Sequence, residues 1–208
     1  LEAFRMLPGL TIECIASEPQ VVDPVAIRFD ERGRLWVVEM PDYPVPVDPT
    51  APRSGRIKRL EDLDGDGYFE TATVFADGLD FATGLERFRD GWFVTLAGRL
   101  VLMRDSDDDG RVDSVRELLV GFAEDNTQLR ANHPTWGRDG RLYVANGLRG
   151  GSVSRATGSG AAIELQGSDL RYDPWSDQVE AVAGIGQYGL TFDDFGRRIV
   201  CSNRNPGL

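Results

Sequence analysis

Apolar and polar positions along the chain follow one recurring pattern: an apolar run, a tight turn with glycine and a second apolar run. The runs are rich in Val, Ile, Leu, Phe, Trp and Tyr, which favour β-strands. A glycine after Asp or Arg suits a hairpin turn, because such turns need a positive φ. The four copies are VAIRFDERGRLWVVE (25–39), TGLERFRDGWFVTL (83–96), HPTWGRDGRLYVAN (133–146) and YGLTFDDFGRRIVCSN (188–203), with turn glycines Gly33, Gly91, Gly140 and Gly196.

Two further strand-like runs follow each of the first three hairpins, so that each of these units has four strands. The turn glycines lie 58, 49 and 56 residues apart, and no segment shows the pattern of an amphipathic helix. Repetition of a four-strand unit at this period predicts an all-β fold, a β-propeller of four-stranded antiparallel blades. The additional runs are GRIKRLE (55–61), TATVFA (71–76), RLVLMR (99–104), SVRELLV (114–120), SDLRYDP (168–174) and QVEAVAG (178–184).

The fourth unit stops after its second strand, which predicts that the chain is part of a larger ring. We expect about six blades in the whole protein, of which about three and a half lie in this chain. TIECIA (11–16) is interpreted as the outer strand of the last blade, and both ends as cuts within a longer protein. The expected bounds are about 23–76 for blade 1, about 83–120 for blade 2, about 133–184 for blade 3 and 187–208 for the truncated blade 4.

Negative charge is concentrated in two segments of the chain. DLDGDGYFE (62–70) and DSDDDGRVD (105–113) together hold nine acidic residues and one arginine, a sum of −8. Since the whole chain has a formal net charge of −11, only −3 remains for all other residues. The charge therefore indicates bound cations at two places, and it argues against nucleic acid as a partner, which needs a basic patch.

Both acidic segments follow the template Asp-x-Asp-x-Asp-Gly-x-x-acid, in which the first three carboxylates converge on one point. Calcium prefers about six to eight hard oxygen ligands, and the glycine permits the sharp bend. Neither segment has the closing Glu of an EF-hand, so each is an EF-like half loop; a solvated acidic turn is the alternative. The predicted calcium ligands are Asp62, Asp64, Asp66, the Tyr68 carbonyl and Glu70 in the first loop, and Asp105, Asp107, Asp109, the Arg111 carbonyl and Asp113 in the second.

Strand order decides on which face of the propeller each connection lies. If the strands of a blade are labelled A to D from the centre outward, the A–B and C–D turns share one face, because antiparallel strands alternate in direction. Both Asp-rich segments are C–D turns. The long irregular segments 40–54, 121–132 and 147–167 are predicted to lie on the opposite face. We expect the functional mouth there, because long loops on a rigid scaffold usually carry binding and chemistry.

The single histidine, His133, precedes the third inner strand on the mouth face, and Pro134 is expected to hold it extended. An imidazole there is a candidate general base, and an inert, hydrogen-bonded histidine is the alternative. Other polar residues around the mouth are predicted to bind a polyhydroxylated substrate or a cofactor; the alternative is that they only end strands. These residues are Glu39, Tyr43, Asn132, Asn146, Gln187 and Asn203.

Four ordered segments carry a family resemblance that covers nearly the whole chain. They are RFDERGRLWVVEMPDYP, GRIKRLEDLDGDGYFETATVFADGL, ANHPTWGRDGRLYVANGLRGG and GLTFDDFGRRIVCSNRN. Together they resemble the membrane-bound dehydrogenase domain of bacterial PVC-type haem-binding proteins. That family is similar, more distantly, to glucose/sorbosone dehydrogenases, which are six-bladed propellers that use pyrroloquinoline quinone.

The resemblance implies oxidation of a sugar or alcohol at the mouth, with His133 as the base and pyrroloquinoline quinone as the hydride acceptor. It also implies a periplasmic or extracytoplasmic location, with membrane association through segments outside this chain. The implied electron acceptor is a cytochrome c domain, whose haem c would lie in a C-terminal region outside this chain. The quinoprotein relatives place the base farther before the turn motif, where this chain has Leu129. A non-catalytic, calcium-stabilised propeller that binds carbohydrate or protein is therefore the alternative.

Overall fold

The computed structural model describes residues 4–44, 50, 52–158 and 160–205. These residues form sixteen strands in four antiparallel sheets and no helix, so the predicted all-β class is confirmed. No helix within those ranges is long and apolar enough to cross a membrane. The strands are β1 Pro24–Phe29, β2 Leu35–Glu39, β3 Gly55–Glu61, β4 Thr71–Leu79, β5 Gly84–Phe88, β6 Gly91–Leu96, β7 Arg99–Arg104, β8 Ser114–Phe122, β9 Asn132–Trp136, β10 Leu142–Ala145, β11 Gly151–Arg155, β12 Ile163–Glu164, β13 Ser168–Asp173, β14 Gln178–Ala183, β15 Leu190–Phe192 and β16 Arg198–Val200.

The sheets are the blades of a propeller-like fold. Blade 1 has the order β1-β2-β3-β4, blade 2 contains β5 to β8, blade 3 has the order β9-β10-β13-β14, and blade 4 is the pair β15-β16. The inner strands of successive blades contact one another, β1 with β5, β5 with β9 and β9 with β15. The predicted end of blade 4 at 206–208 lies outside the described residues, as do 45–49 and 51 of the long β2–β3 loop.

One long segment that the sequence suggested was irregular contains a hairpin. β11 and β12 lie within 147–167, and β11 pairs with β8, the outer strand of blade 2, to give a six-stranded sheet. An outer strand exposes unpaired backbone groups, and a paired hairpin satisfies them. Val153 of β11 is fully buried in the core shared by blades 2 and 3. The segment is therefore part of the scaffold as well as a mouth-face connection.

One turn closes the inner hairpin in three of the blades. In blade 1 the Asp30 backbone N–H donates to the Arg34 carbonyl at 3.1 Å, and the Gly33 N–H donates to the Asp30 carbonyl at 3.0 Å. The same two hydrogen bonds recur within 137–141 of blade 3 and 193–197 of blade 4. Gly33 has a φ of 77°, a conformation that glycine adopts without strain. This shared turn accounts for the turn glycine in three of the four sequence repeats.

Aromatic side chains fill the spaces between neighbouring blades. The Trp36 ring centroid lies 5.0 Å from that of Phe75 in the same blade and 4.6 Å from that of Trp92 in blade 2. Between blades 2 and 3 the rings of Phe93 and Tyr172 meet edge to face at 6.4 Å. All five residues are buried, and such ring pairs add about 0.5–1.5 kcal/mol each beyond area burial. This packing holds the blades, and therefore their mouth-face connections, in a fixed relation.

The N-terminal segment differs from its prediction. Residues 11–16 form no strand, and the segment contacts blade 1 through the Ile15 carbonyl, which accepts a hydrogen bond from the Phe69 N–H at 2.8 Å. Ala16 packs against the buried cluster that contains Leu35. A strand needs a hydrogen-bonding neighbour, and the blade expected to provide one is not among the four blades of this chain.

Candidate functional site

Connections on the mouth face surround a cavity of about 410 Å³, which we call the inner mouth cavity. Its walls come from the starts of the inner strands of blades 1 and 2, from the connections that precede those of blades 3 and 4, and from the loop after β2. Four blades therefore meet around one space. The lining residues are Pro24, Val25, Met40, Tyr43, Thr83, Thr127, Gln128, Arg130, Gln187, Tyr188 and Asn203.

Three of the predicted binding residues, Tyr43, Gln187 and Asn203, line the inner mouth cavity. The Gln187 side-chain oxygen accepts a hydrogen bond from the Asn203 backbone N–H at 2.9 Å, which joins the two residues on one wall. Tyr43 is 41% exposed, so its ring offers an accessible flat surface. The cavity thus combines an aromatic ring with amide groups that can donate and accept hydrogen bonds.

Glu39 lies inside blade 1 and does not line this cavity. Its side chain is 1% exposed and accepts hydrogen bonds from the Val22 N–H at 2.8 Å. The Lys58 ammonium lies 2.9 Å from the same carboxylate. A buried lysine requires a counter-charge, so the geometry of Glu39 matches a structural ion pair.

Asn132 and Asn146 are buried side chains that hold connections in place. The Asn132 amide donates to the Gln187 carbonyl at 2.9 Å, and its oxygen accepts from the Gly189 N–H at 3.0 Å. Asn146 donates to the Leu165 carbonyl at 3.3 Å. Neither asparagine lines the inner mouth cavity. Both position the mouth-face connections from behind, and a direct contact with a ligand stays a prediction.

His133 lines a different cavity of about 540 Å³, together with Arg28, Glu86 and Thr135 of the inner strands. The expected extended conformation is wrong, because His133 has a φ of 46°. Its backbone lies at an irregularity of the β9–β10 pairing, where residues 133 and 134 together oppose the single residue Val144. Such a bulge redirects a side chain, and here it accompanies the placement of the imidazole away from the inner mouth cavity.

The His133 imidazole is neutral at neutral pH. Burial, followed by the nearby positive charge of Arg28, lowers its pKa to about 4. Its Nδ1 atom is buried and has no hydrogen-bond partner among the described residues. A neutral imidazole can accept a proton, although a pKa this low makes it a weak base. The base and the inert interpretation of His133 both stay predictions.

Tyr188 lies between His133 and the inner mouth cavity. Its ring meets the imidazole edge to face, with centroids 4.9 Å apart, and it also lines the inner mouth cavity. The hydroxyl donates to the Val25 carbonyl at 3.0 Å and approaches the Thr83 carbonyl at 3.4 Å. Burial raises the pKa of this phenol to about 12, so it remains a donor at physiological pH. Tyr188 thus links blade 4 to the inner strands of blades 1 and 2.

A second cavity of about 670 Å³ adjoins the first on the mouth face, and we call it the outer mouth cavity. Its charged residues were not predicted from the sequence. The sequence did contain an indication of these charged residues: GFAEDNTQLRAN (121–132) is a polar connection next to the histidine, and it contains a basic residue. The lining residues are Arg53, Asp80, Ala97, Glu124, Asp125, Asn126, Thr127 and Arg130.

The two Asp-rich turns have the same internal hydrogen bonds. In each, the first carboxylate accepts from the N–H of the glycine, Gly67 to Asp62 and Gly110 to Asp105, both at 2.9 Å. The Tyr68 and Arg111 N–H groups donate to Asp66 and Asp109, at 2.7 Å in both turns. Carboxylate oxygens within 4.8 Å of one another come from Asp62, Asp64 and Glu70 in the first turn and from Asp105, Asp107 and Asp109 in the second. Predicted ligands Asp66 and Asp113 lie outside these two groups.

The second Asp-rich turn also attaches blade 2 to blade 1. Asp108 accepts from Arg34 Nη1 at 3.1 Å and forms an ion pair with Arg32, and these hydrogen bonds lower the pKa of its carboxyl group. A Cβ atom on Gly110, which has a φ of 86°, would lie 2.5 Å from the Arg59 guanidinium carbon. The turn lies against the inner turn of blade 1, so both occupy the face opposite the mouth.

Comparisons with known proteins give a family but no activity. A family model described as "Domain of unknown function (DUF7133)" matches residues 1–208. No curated protein matches the sequence. Among solved structures, a luciferin-regenerating enzyme is similar at 9% sequence identity and a TM-score of 0.49, over 88% of this chain. The chain spans about half the length of that enzyme, 53%.

Proposed function

The chain belongs to the family described as a domain of unknown function (DUF7133), and we propose that it is a calcium-stabilised propeller domain that binds a polyhydroxylated small molecule at its mouth. The ligand class is a sugar or sugar-like alcohol. One observation carries this proposal: connections from four blades converge on the inner mouth cavity. A volume of about 410 Å³ lies in the range of small-ligand pockets.

The chemistry of the inner mouth cavity supports a hydroxyl-rich ligand. Hydroxyl groups both donate and accept hydrogen bonds, and the Gln187 and Asn203 amides belong to a side-chain type that can do the same. Tyr43 supplies an accessible ring for the C–H face of a sugar. Among the described residues, Arg130 is the single charged residue that lines it. This combination favours a neutral polyol over a strongly charged ligand.

Calcium is proposed to stabilise the opposite face. Asp62, Asp64 and Glu70 in the first Asp-rich turn, and the corresponding group of three carboxylates in the second, offer the hard oxygen atoms that calcium prefers. Mutual repulsion of these carboxylates in the absence of a cation destabilises the turns, so an ion there would raise the melting temperature. Because Asp108 connects the second turn to blade 1, an ion in that turn would also strengthen the contact between blades.

Thermal unfolding with and without calcium tests this part of the proposal. We expect millimolar calcium to raise the melting temperature of the protein, and a chelator to reverse the effect. Asp64→Asn combined with Asp107→Asn should remove most of the increase, because one carboxylate is lost from each turn. Arg138→Met, an exposed change outside both turns, is the control. An unchanged melting temperature across millimolar calcium would contradict the proposed site.

Oxidation of the bound sugar or alcohol is the second candidate function. It rests on the family resemblance and on the neutral His133 imidazole, whose buried Nδ1 atom has no partner among the described residues. His133 does not line the inner mouth cavity, so a substrate would have to reach it past Tyr188. Electrons would leave through an acceptor such as a cytochrome c domain. The location would be extracytoplasmic, as for the proteins that the chain resembles.

Pyrroloquinoline quinone, which supplies hydride-acceptor chemistry when bound, is a tricarboxylate and requires several unpaired cations. The two mouth cavities have two arginines on their walls, and Arg130 is already paired with Glu124 at 3.1 Å. Of these two arginines, Arg53 is the one without an ion pair to any described residue. These residues do not fit the quinone, and we assign it no reaction step in this chain.

One assay separates the two candidates. The full-length protein, with calcium and the quinone added, is screened against sugars and alcohols by calorimetry and by reduction of an artificial electron acceptor. Binding without dye reduction would favour the binding domain, and substrate-dependent dye reduction would favour the dehydrogenase. If neither signal appears for any sugar or alcohol, both candidates are wrong.

A further inference from the structure

The inner and outer mouth cavities share a wall. Thr127 and Arg130 line both spaces, which have volumes of about 410 and 670 Å³. Both residues belong to the connection between β8 and β9, which therefore separates and joins the two cavities. A ligand that fills one cavity can continue into the other only by passing this connection.

Arg130 is held in a fixed position at this junction. The residue is 5% exposed, its guanidinium carbon lies 4.0 Å from the Phe81 ring centroid, and its Nη1 atom is 3.1 Å from Glu124 Oε2. Burial lowers the pKa of Arg130 and raises that of Glu124. The Arg130 Nε–H has no hydrogen-bond partner among the described residues. This atom is buried, so a ligand at the junction would meet other atoms of the Arg130 side chain, which lines both cavities.

The carboxylates around the outer mouth cavity are paired with arginines. Asp80 pairs with Arg99 at 2.8 Å, and Asp125 lies 3.8 Å from Arg149. Among the described residues, two arginines and three carboxylates line the space, and each of the three carboxylates has an arginine partner: Arg99 for Asp80, Arg130 for Glu124 and Arg149 for Asp125. A ligand with a net charge gains little from charges that are already paired. A neutral ligand with many hydroxyl groups can donate to the carboxylates and accept from the guanidinium groups.

The two cavities differ in polarity. Tyr43, Met40 and Val25 give the inner cavity a largely apolar wall, whereas charged and amide groups dominate the outer cavity. A sugar ring has an apolar C–H face and a polar rim, and two linked rings can satisfy both environments. One ring packs on Tyr43, and the next is held by hydrogen bonds from the charged groups. A single ring satisfies only one of these two environments.

We propose that the mouth binds a neutral saccharide of at least two rings, which spans both cavities across Arg130 and Thr127. The inference rests on the proposed ligand binding at the mouth, and it specifies the chemical class and the length of the ligand. The shared wall, the different polarity of the two cavities and the paired charges of the outer cavity support it independently of any oxidation. The ring in the inner cavity contacts Tyr43, and the ring in the outer cavity contacts the wall that contains Arg130.

Calorimetry on the full-length protein tests the proposed length. Glucose, cellobiose and cellotriose form one series, and xylose and malto-oligosaccharides of matching lengths form two others. In at least one series we expect the dissociation constant to fall about tenfold or more from one ring to two. Glucuronate and the glucuronate-containing disaccharide serve as charged probes. Equal affinity for one and two rings in every series, or stronger binding of the charged probes, would overturn the proposal.

Two variants locate the second ring. Thr127→Trp fills the shared wall and leaves the buried Arg130 ion pair in place, and Arg130→Met removes the charge and keeps the apolar stem. Each should abolish the gain from the second ring, so that the dissociation constants for one ring and for two rings agree within about twofold. Arg138→Met on the opposite face is the matched control. If Thr127→Trp binds disaccharides as the unaltered protein does, the second ring does not cross this junction.

These outcomes also separate this inference from the proposed function. If the dissociation constant does not depend on the number of sugar rings, the mouth remains a ligand site and the two-ring ligand is refuted. Absence of binding for every saccharide would refute both. Length-dependent binding without dye reduction would support the two-ring ligand and count against oxidation.

Discussion

Replacement of Asp30 by alanine tests how strongly one buried turn stabilises the protein. The Asp30 carboxylate is fully buried and accepts hydrogen bonds from Trp36 Nε1 at 2.9 Å and from Arg34 Nε at 2.6 Å. After Asp30→Ala, the 10% exposed Arg34 pairs only with the Asp108 carboxylate. The Trp36 indole N–H then has no acceptor. Loss of one partner from a buried ion pair costs about 3–5 kcal/mol. Because Asp108 still pairs with Arg34, we expect about 3 kcal/mol.

Urea unfolding followed by tryptophan fluorescence measures this loss. With an m-value of about 2 kcal/mol/M, the midpoint should fall by about 1.5 M. Asp193→Ala is the matched control, because Asp193 accepts from Arg197 in the same turn of blade 4, where Arg197 is 75% exposed. An exposed pair contributes little, so this change should leave the midpoint nearly unaltered. A loss for Asp30→Ala no greater than that for Asp193→Ala would refute the argument from burial.

The same carboxylate predicts a pH dependence. Burial alone raises the pKa of Asp30, but hydrogen bonds from Trp36 and Arg34 outweigh this and hold it below its ordinary value. A group with a lowered folded pKa stabilises the protein above its unfolded pKa of about 3.9 and loses that contribution as the pH falls through the folded value. Asp30→Asn should therefore reduce stability at neutral pH and flatten the acid side of the stability curve. If the acid side of the stability curve is unchanged in Asp30→Asn, Asp30 is not the group that causes the loss of stability at low pH.

Further predictions concern the mouth. In urea unfolding, Gly147→Ala should destabilise the protein far more than Gly140→Ala. Both glycines have a φ near +75°, and the backbone strain alone costs about 1–2 kcal/mol. Only a Cβ on Gly147 would also collide with the Arg130 carbonyl, at 2.2 Å. The single histidine permits a direct NMR titration, and we expect a His133 pKa of about 4; a value near 6.5 would contradict its burial. Since the unfolded chain binds the proton first, stability should fall as the pH decreases from about 6.5 towards 4, and His133→Asn should lack this slope. Tyr188→Phe should cost about 1 kcal/mol and leave the His133 titration unchanged, because the ring remains.

Much of the fold could be read from the sequence because it depends on local pairing. Strand-forming runs and the turn of Asp30–Arg34 recur in order, and each hairpin forms from neighbouring residues. GRIKRLE (55–61) and RLVLMR (99–104) coincide with β3 and β7. The β11–β12 hairpin did not emerge from the sequence, because it is stabilised by the edge of β8, a strand about thirty residues earlier in the chain.

The candidate site could be predicted only in part. Strand alternation placed Tyr43, Gln187 and Asn203 on the mouth face, where they line the inner cavity. It placed Asn132 there too, but could not show that its amide is occupied by the Gln187 and Gly189 backbone. Side-chain direction depends on bulges and on neighbouring blades, as the φ of 46° at His133 illustrates.

The sequence by itself determined the repeat, the strand order, the face of each connection and the two acidic turns, since these follow from short-range periodicity and composition. Only the tertiary structure decided which polar groups are occupied and which face a cavity. Burial and charge pairing arise between residues far apart in the chain, such as Arg130 with Phe81 and Tyr188 with Val25. The free energy of a polar side chain depends on what surrounds it, and those surroundings exist only once the blades have packed.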